Sequence, residues 1–354
     1  MTTALRWTRT NLFSTPGNAV LTSSIVLLFV WAVPPVIDWA FLRAVWTGTS
    51  RDACVGADVG ACWPYIWARA GQIIYGFYPD GERWRVDIVY ALGIAGTLWL
   101  TLPNIPRKWF GAALMIFAFP VAAYVLLLGG VFGLEAVPTL HWGGLLLTLV
   151  VAVVGIAASL PLGILLALGR RSELPVIRWF SVTFIEVWRG VPMITVLFMA
   201  ANMLPLFLPE SLDTDKLFRA LVAIAIFNAA YMAEVVRGGL QAIPRGQEEA
   251  AKALGLGYWR RMTFVVLPQA LKISIPGLVN NMVSMLKDTS LISVIGFLDL
   301  LGVIQAGNTD PEWASPNTAL TGYLFLAIIY WAACFSLSRY SARLERNLNV
   351  GARP

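Results

Sequence analysis

Apolar and polar segments alternate along this chain on a scale of about twenty residues. Apolar stretches run at about 19–42, 86–103, 109–130, 143–168, 178–207, 218–237, 275–302 and 319–338. A helix rises about 1.5 Å per residue, so around twenty apolar residues cross the roughly 30 Å hydrocarbon core of a bilayer. The alternating segments of about ten residues that mark a membrane barrel are absent. The pattern therefore predicts an all-α polytopic membrane protein with about eight transmembrane helices. The second stretch, VDIVYALGIAGTLWLTL, is barely long enough. The fifth and seventh are too long for one straight helix, which predicts a bend or an extra interfacial helix near RGVP in one and near KDTS in the other.

Composition agrees with this class. Of 354 residues 58% are apolar and only 13% charged, against about 25% charged in a soluble domain. The net charge of +6 does not point to nucleic acid, because the basic residues gather in the short loops between spans, as the positive-inside rule requires. Residues 1–18 are polar and basic, and the apolar stretch after them lacks a small-residue cleavage site. It reads as a retained first span rather than a signal peptide.

Arginine and lysine orient the chain. Arg6 and Arg9 precede span one, Arg107 and Lys108 follow span two, and Arg170, Arg171 and Arg178 follow span four. Arg237, Arg245, Lys252, Arg260, Arg261 and Lys272 follow span six, and Arg339, Arg343, Arg346 and Arg353 follow span eight. With eight spans all of these fall on one side, the cytoplasm, together with both termini. The opposite loops LPESLDTDK and GNTDPEWASPNT are acidic or polar.

Two parts are expected. Residues 1–140 hold three spans and an outer loop at 43–85; residues 141–354 hold five spans and most of the motif-like sequence. Enzyme chemistry finds little to build on. His141 is the single histidine and G-x-x-x-x-G-K-[ST] is absent, so neither a histidine-based metal cluster nor that phosphate-binding loop is available. No cofactor or metal is expected on this chain. Cys54 and Cys62, eight positions apart in CVGADVGAC, are a candidate disulfide if the outer side is a bacterial periplasm. Cys334 falls within span eight as a packing residue.

The stretch EEAAKALGLGYWRRMTFVVLP, 248–268, is unusually charged for this chain. Residues 247–254 suit a two-turn helix. Glu248 and Glu249 lie near its positive end, Glu248 and Lys252 are spaced i,i+4, and Ala250, Ala251 and Leu254 make a small apolar face. Gly255 and Gly257 can end it and turn the chain back toward the membrane. An interfacial helix would bear a bulkier apolar face; this one suits a protein groove better than lipid.

Glu249-Ala250-Ala251, three residues, Gly255, nine residues, Val265, one residue, then Leu267-Pro268 resembles the EAA loop of ABC-importer permeases, with Val265 in place of isoleucine as the one departure. EVWRGVPMI, AYMAEVVRGGLQAIPRGQ and LPQALKISIPGLVNNMVSMLKDTSLISVIG resemble the polar amino-acid branch of that family over about 141–340. The N-terminal part, with GACWPYIWARAGQIIYGFYP, is similar to the M-type permease of general L-amino-acid transporters. The resemblance implies a five-helix type I permease core preceded by three extra spans, in a bacterial cytoplasmic membrane. It implies a second homologous permease as partner, two copies of a cytosolic ATPase that bind ATP and magnesium in this chain's stead, and a periplasmic amino-acid-binding protein. The EAA loop, 244–268, would couple the permease to the ATPase, and this chain would itself be non-catalytic.

Polar groups inside a membrane are costly and therefore functional candidates. Asn228 and Glu234 in span six, with Asn280, Asn281, Ser284, Lys287 and Asp288 around span seven, form the candidate substrate path. A zwitterionic amino acid needs a partner of each sign, which Lys287 with Asp288 or Glu234 could offer; bonding between helices is the alternative use of each residue. Two other classes stand beside the importer. An ion-coupled secondary transporter would need no ATPase, and a membrane assembly or signalling subunit would carry no cargo.

Overall fold

The computed structural model describes residues 2–349 apart from 103, 208 and 210–213. Most of the outer loop 208–216, and Arg353, therefore lie outside the described residues. Among these residues the chain is helical, with three isolated bridges and no strand. Six helices are long and apolar enough to span a membrane, or seven when one bent pair is taken as a single span.

Contacts between Cα atoms divide the chain into two compact units, Met1–Ala70 with Ile304–Phe325, and Gly71–Val303 with Leu326–Pro354. In the first, α1 (Thr2–Asn11) leads to α2 (Pro16–Ile37), where the Thr15 hydroxyl accepts the Asn18 amide as a cap and Pro16 fills the first helical position. No residue of α2 is buried. The segment beyond it is a small stapled core. Cys54 and Cys62 are disulfide-bonded, with Cα atoms 5.5 Å apart, and Trp46 stacks on Trp63 at 5.6 Å. The Thr321 hydroxyl accepts the Cys62 amide at 2.7 Å, Asn317 donates to the carbonyls of Cys54 and Val59, and Arg69 pairs with Asp310.

In the second unit, α3 (Arg83–Thr101) and α4 (Lys108–Leu128) pack together. The former is where the second of eight spans was expected, but it is not among the helices apolar enough to cross. Its first two turns carry Arg83, Arg85 and Asp87, which leaves a shortened apolar run, and the count of eight is not confirmed. Buried Arg85 bonds Glu82 and the Glu135 carbonyl, holding the start of α3 against the loop after α4.

The central pair is α5 (Gly144–Arg170) and α8 (Lys216–Gln241). A methyl group on Gly163 of α5 would lie 2.6 Å from Met232 Cβ and about as close to the Ala233 and Ala229 backbone as van der Waals contact forbids. Only glycine lets the two backbones approach this far. Between them in sequence, α6 (Pro175–Gly190) and α7 (Met193–Phe198) meet at a 101° bend over Val191–Pro192. This is the break expected at RGVP. Pro192 lacks an amide hydrogen and pushes Val191 into an extended conformation, so the helix cannot continue.

A short helix, α9 (Arg245–Ala253), precedes α10 (Tyr258–Ile295). The latter starts well before the expected position 275. Pro268, whose missing amide would ordinarily favour a helix end, sits inside the helix. A π turn over Met262–Val266 directly before it widens the backbone, so the missing amide of Pro268 is absorbed without a break. Near KDTS the α-helix ends at Asp288 and tightens to a 3₁₀ turn, Thr289–Ile295. The last long helix is α11 (Pro316–Asn349).

A hinge-capped loop helix and an open polar face

The charged stretch forms α9 and the start of α10. At the end of α9 the Gly255 amide donates to the Lys252 carbonyl at 2.9 Å and the Leu256 amide to the Ala251 carbonyl at 3.2 Å. This paired closure requires a left-handed residue after the cap, and Gly255 supplies it with φ +74°. A side chain here would be strained whatever the space around it. Glu248 in the first turn faces the positive end of the helix.

The small apolar face expected on α9 is split. Ala251 is buried, whereas Ala250, Leu254 and Glu249 are exposed, Leu254 to 80%. Glu248 does not pair with Lys252 either. Its carboxylate reaches Arg171 at 3.5 Å and Arg261 at 3.3 Å, both on neighbouring elements. The reason is geometric: guanidinium groups from before and after the loop bracket Glu248, while Lys252 stays in solvent. Gln269 of α10 donates to the Gln247 side chain at 3.2 Å. Val265 lies half-buried in the π turn, Leu267 is half-buried, and Pro268 is exposed.

The candidate path residues separate into three groups. Asn228 is buried and donates to the Ser159 hydroxyl of α5 at 3.0 Å, so its amide holds two helices together. Glu234 is engaged by arginines. It accepts from Arg237 at 2.7 Å and Arg170 at 2.9 Å, with Arg189 at 3.7 Å, while Arg170 also reaches Glu186 at 3.0 Å. Neither residue is free to meet a solute in this conformation. Asn280, Ser284 and Lys287 recur at helical spacing along one exposed face of α10, flanked by half-buried Asn281 and Asp288. Among the described residues, no side chain of these five makes a hydrogen bond or ion pair. They form an open polar stripe along the later turns of α10.

Sequence reasoning missed the arginine–glutamate cluster, although the i,i+3 spacing of Glu234 and Arg237 was a usable signal. It also missed Asp299, which is fully buried. One carboxylate oxygen of Asp299 accepts the Gly302 amide at 2.9 Å and the other has no partner. Burial pushes this carboxyl above the ordinary aspartate range, against the pull of its backbone bonds.

Helices long and apolar enough to span a membrane, one pair broken at a proline, with a short glycine-capped helix that has an exposed acidic and apolar face, define an integral membrane protein. Comparison fixes the family. Residues 159–350 match the binding-protein-dependent transport system inner membrane component, and the chain belongs to that family. It is 51% identical over 354 residues to the inner membrane amino-acid ABC transporter permease protein YhdY of Escherichia coli (strain K12), covering 99% of this chain and 95% of that one. It is 38% identical over 415 positions to the glutamate/glutamine/aspartate/asparagine transport system permease protein BztC of Rhodobacter capsulatus, covering 98% and 94%. A crystal structure of an amino acid ABC transporter with histidines is similar over 58% of this chain and 92% of its own, at 31% identity and a TM-score of 0.50. The chain is thus an inner membrane protein, and permeases of ABC importers work with ATPase and binding-protein partners.

Proposed function

We propose that this chain is the non-catalytic permease subunit of an ATP-driven amino-acid importer, forming half of the translocation path with residues 141–354 as its core. The observation that carries the reading is α9: a rigid two-turn helix, closed by Gly255, that presents Glu249, Ala250 and Leu254 outward. A partner ATPase that grips this face moves α9 as a lever, and α10, which follows after a short turn, transmits the motion to the spans. ATP and magnesium belong to that ATPase. Both termini and α9 lie in the cytoplasm, and a periplasmic binding protein delivers the amino acid from outside.

The open stripe of Asn280, Asn281, Ser284, Lys287 and Asp288 faces the path. Two charges of opposite sign and three neutral polar groups suit the carboxylate and ammonium of an amino acid. A second, homologous permease supplies the other wall. Relatives with amino-acid transport in their names support the cargo class. The test is co-purification of a tagged chain from membranes, followed by reconstitution. Recovery of an ATPase and a second permease, with uptake that stops when the ATPase is inactivated, is expected. Uptake driven by an ion gradient without an ATPase would replace this reading with a secondary transporter.

A further inference from the structure

Arg170 and Arg171 are consecutive at the end of α5, yet they serve different networks. Arg170 turns toward Glu186 and Glu234, inside the cluster that joins α5, α6 and α8. Arg171 turns toward the loop. Its guanidinium donates to the Leu240 carbonyl near the end of α8 at 3.5 Å and reaches Glu248 Oε2 at 3.5 Å. The other oxygen of that carboxylate, Oε1, lies 3.3 Å from Arg261 Nη2 in the first turn of α10. Glu248 therefore divides its two oxygens between two arginines, one belonging to the helix bundle and one to the return helix. Arg261 is itself largely covered, its side chain 11% exposed, and lies over the Tyr258 ring at 5.7 Å.

Adjacent Glu249 is exposed and makes no ion pair among the described residues. The two neighbouring carboxylates are thus in different situations. We infer that Glu248 is a positioning residue that ties α9 to α5 and α10 through Arg171 and Arg261, leaving Glu249 for contact outside the chain. The inference rests on the reading of α9 as the coupling helix. Charge pairs suit a moving joint, because Coulomb attraction declines gradually with distance and survives small displacements that would open a packed contact. Without the joint, α9 can still be gripped, but its motion is taken up in the loop instead of reaching the spans.

The test uses the whole importer in proteoliposomes, with a radiolabelled mixture of common L-amino acids as the probe. Uptake and ATP hydrolysis are read on the same vesicles. Glu248→Gln and Arg171→Gln should leave membrane insertion and ATPase co-purification as in the wild type, yet lower uptake per ATP hydrolysed roughly tenfold. Glu248→Asp, which keeps the charge, should restore most of the ratio. A simple loss of folding would remove complex and hydrolysis together and would not change that ratio alone. An unchanged ratio in Glu248→Gln overturns the inference, as does an Asp variant no better than Gln. Loss of ATPase co-purification in Glu248→Gln overturns it too, because Glu248 would then be a docking residue. A wild-type chain that recruits no ATPase instead sinks the functional reading on which the inference rests.

Discussion

The side-chain amide of Asn228 donates to the Ser159 hydroxyl over 3.0 Å, and both residues are buried where α5 and α8 meet. Ser159 passes the bond on to the Ile156 carbonyl at 3.1 Å. The sequence places Asn228 among substrate-path candidates; its geometry makes it a fastening between helices. Asn228→Ala should therefore lower the melting temperature in detergent, by a loss on the order of 0.6–1.7 kcal/mol. The concentration dependence of uptake should stay unchanged. A shifted half-saturation without a shifted melting point would return Asn228 to the path.

Glu249 sits midway along the proposed lever and Gly255 just past its end. Glu249→Lys reverses charge on the exposed face and should abolish both ATPase recovery and uptake. Gly255→Val forces a branched side chain into φ +74°, so the paired closure of α9 opens and uptake should be lost. Both variants should still reach the membrane, as a membrane-fraction immunoblot would show. Wild-type uptake in either one would disprove the lever.

At Gly163 the α5–α8 seam has no room for a Cβ. Gly163→Leu has nowhere to place its side chain without separating the backbones around Met232. A destabilisation of at least about 1–3 kcal/mol is expected, read as an earlier thermal transition of the purified chain.

The Cys54–Cys62 bond closes a short loop, and loop-closure entropy puts its contribution at about 2–3 kcal/mol. Cys54→Ser should sensitise this segment to added protease, whereas distant Cys334 should be dispensable. In the wild type, thiol labelling of Cys54 and Cys62 should appear only after reduction. Labelling beforehand would contradict the bond.

Asp299 gives a pH prediction. Its folded carboxyl binds a proton more readily than in the unfolded chain, so the folded state holds more protons between the two pKa values. Stability then falls as pH rises through that window. Asp299→Asn keeps an oxygen acceptor for the Gly302 amide and removes the charge. It should raise the melting temperature at pH 7.5 more than at pH 5. An equal effect at both values would mean that Asp299 does not titrate there.

Class, family and the short loop helix are legible in the sequence because they depend on local quantities. Twenty apolar residues need lipid wherever they lie, Pro192 breaks a helix by its own chemistry, and the motif from Glu249 to Pro268 is a matter of spacing. The course of α10 through Pro268 was not legible, since a single proline signals an end and only the neighbouring π turn shows how the helix absorbs it. Of the expected spans, α3 is the one missing from the helices apolar enough to cross, because the charges in its first two turns shorten the apolar run.

Side-chain roles were decided by tertiary structure. Sequence assigned Asn228, Glu234 and Lys287 to one intramembrane polar set. The fold fastens the first to Ser159, surrounds the second with Arg170, Arg189 and Arg237, and leaves the third on an open face. It likewise gives adjacent Glu248 and Glu249 different surroundings. Which partner a charge meets depends on elements far apart in the chain, and Arg171 lies 77 positions from the carboxylate it reaches. Apolar length determines where the chain goes into a membrane; the packing of distant helices determines what each polar group does there.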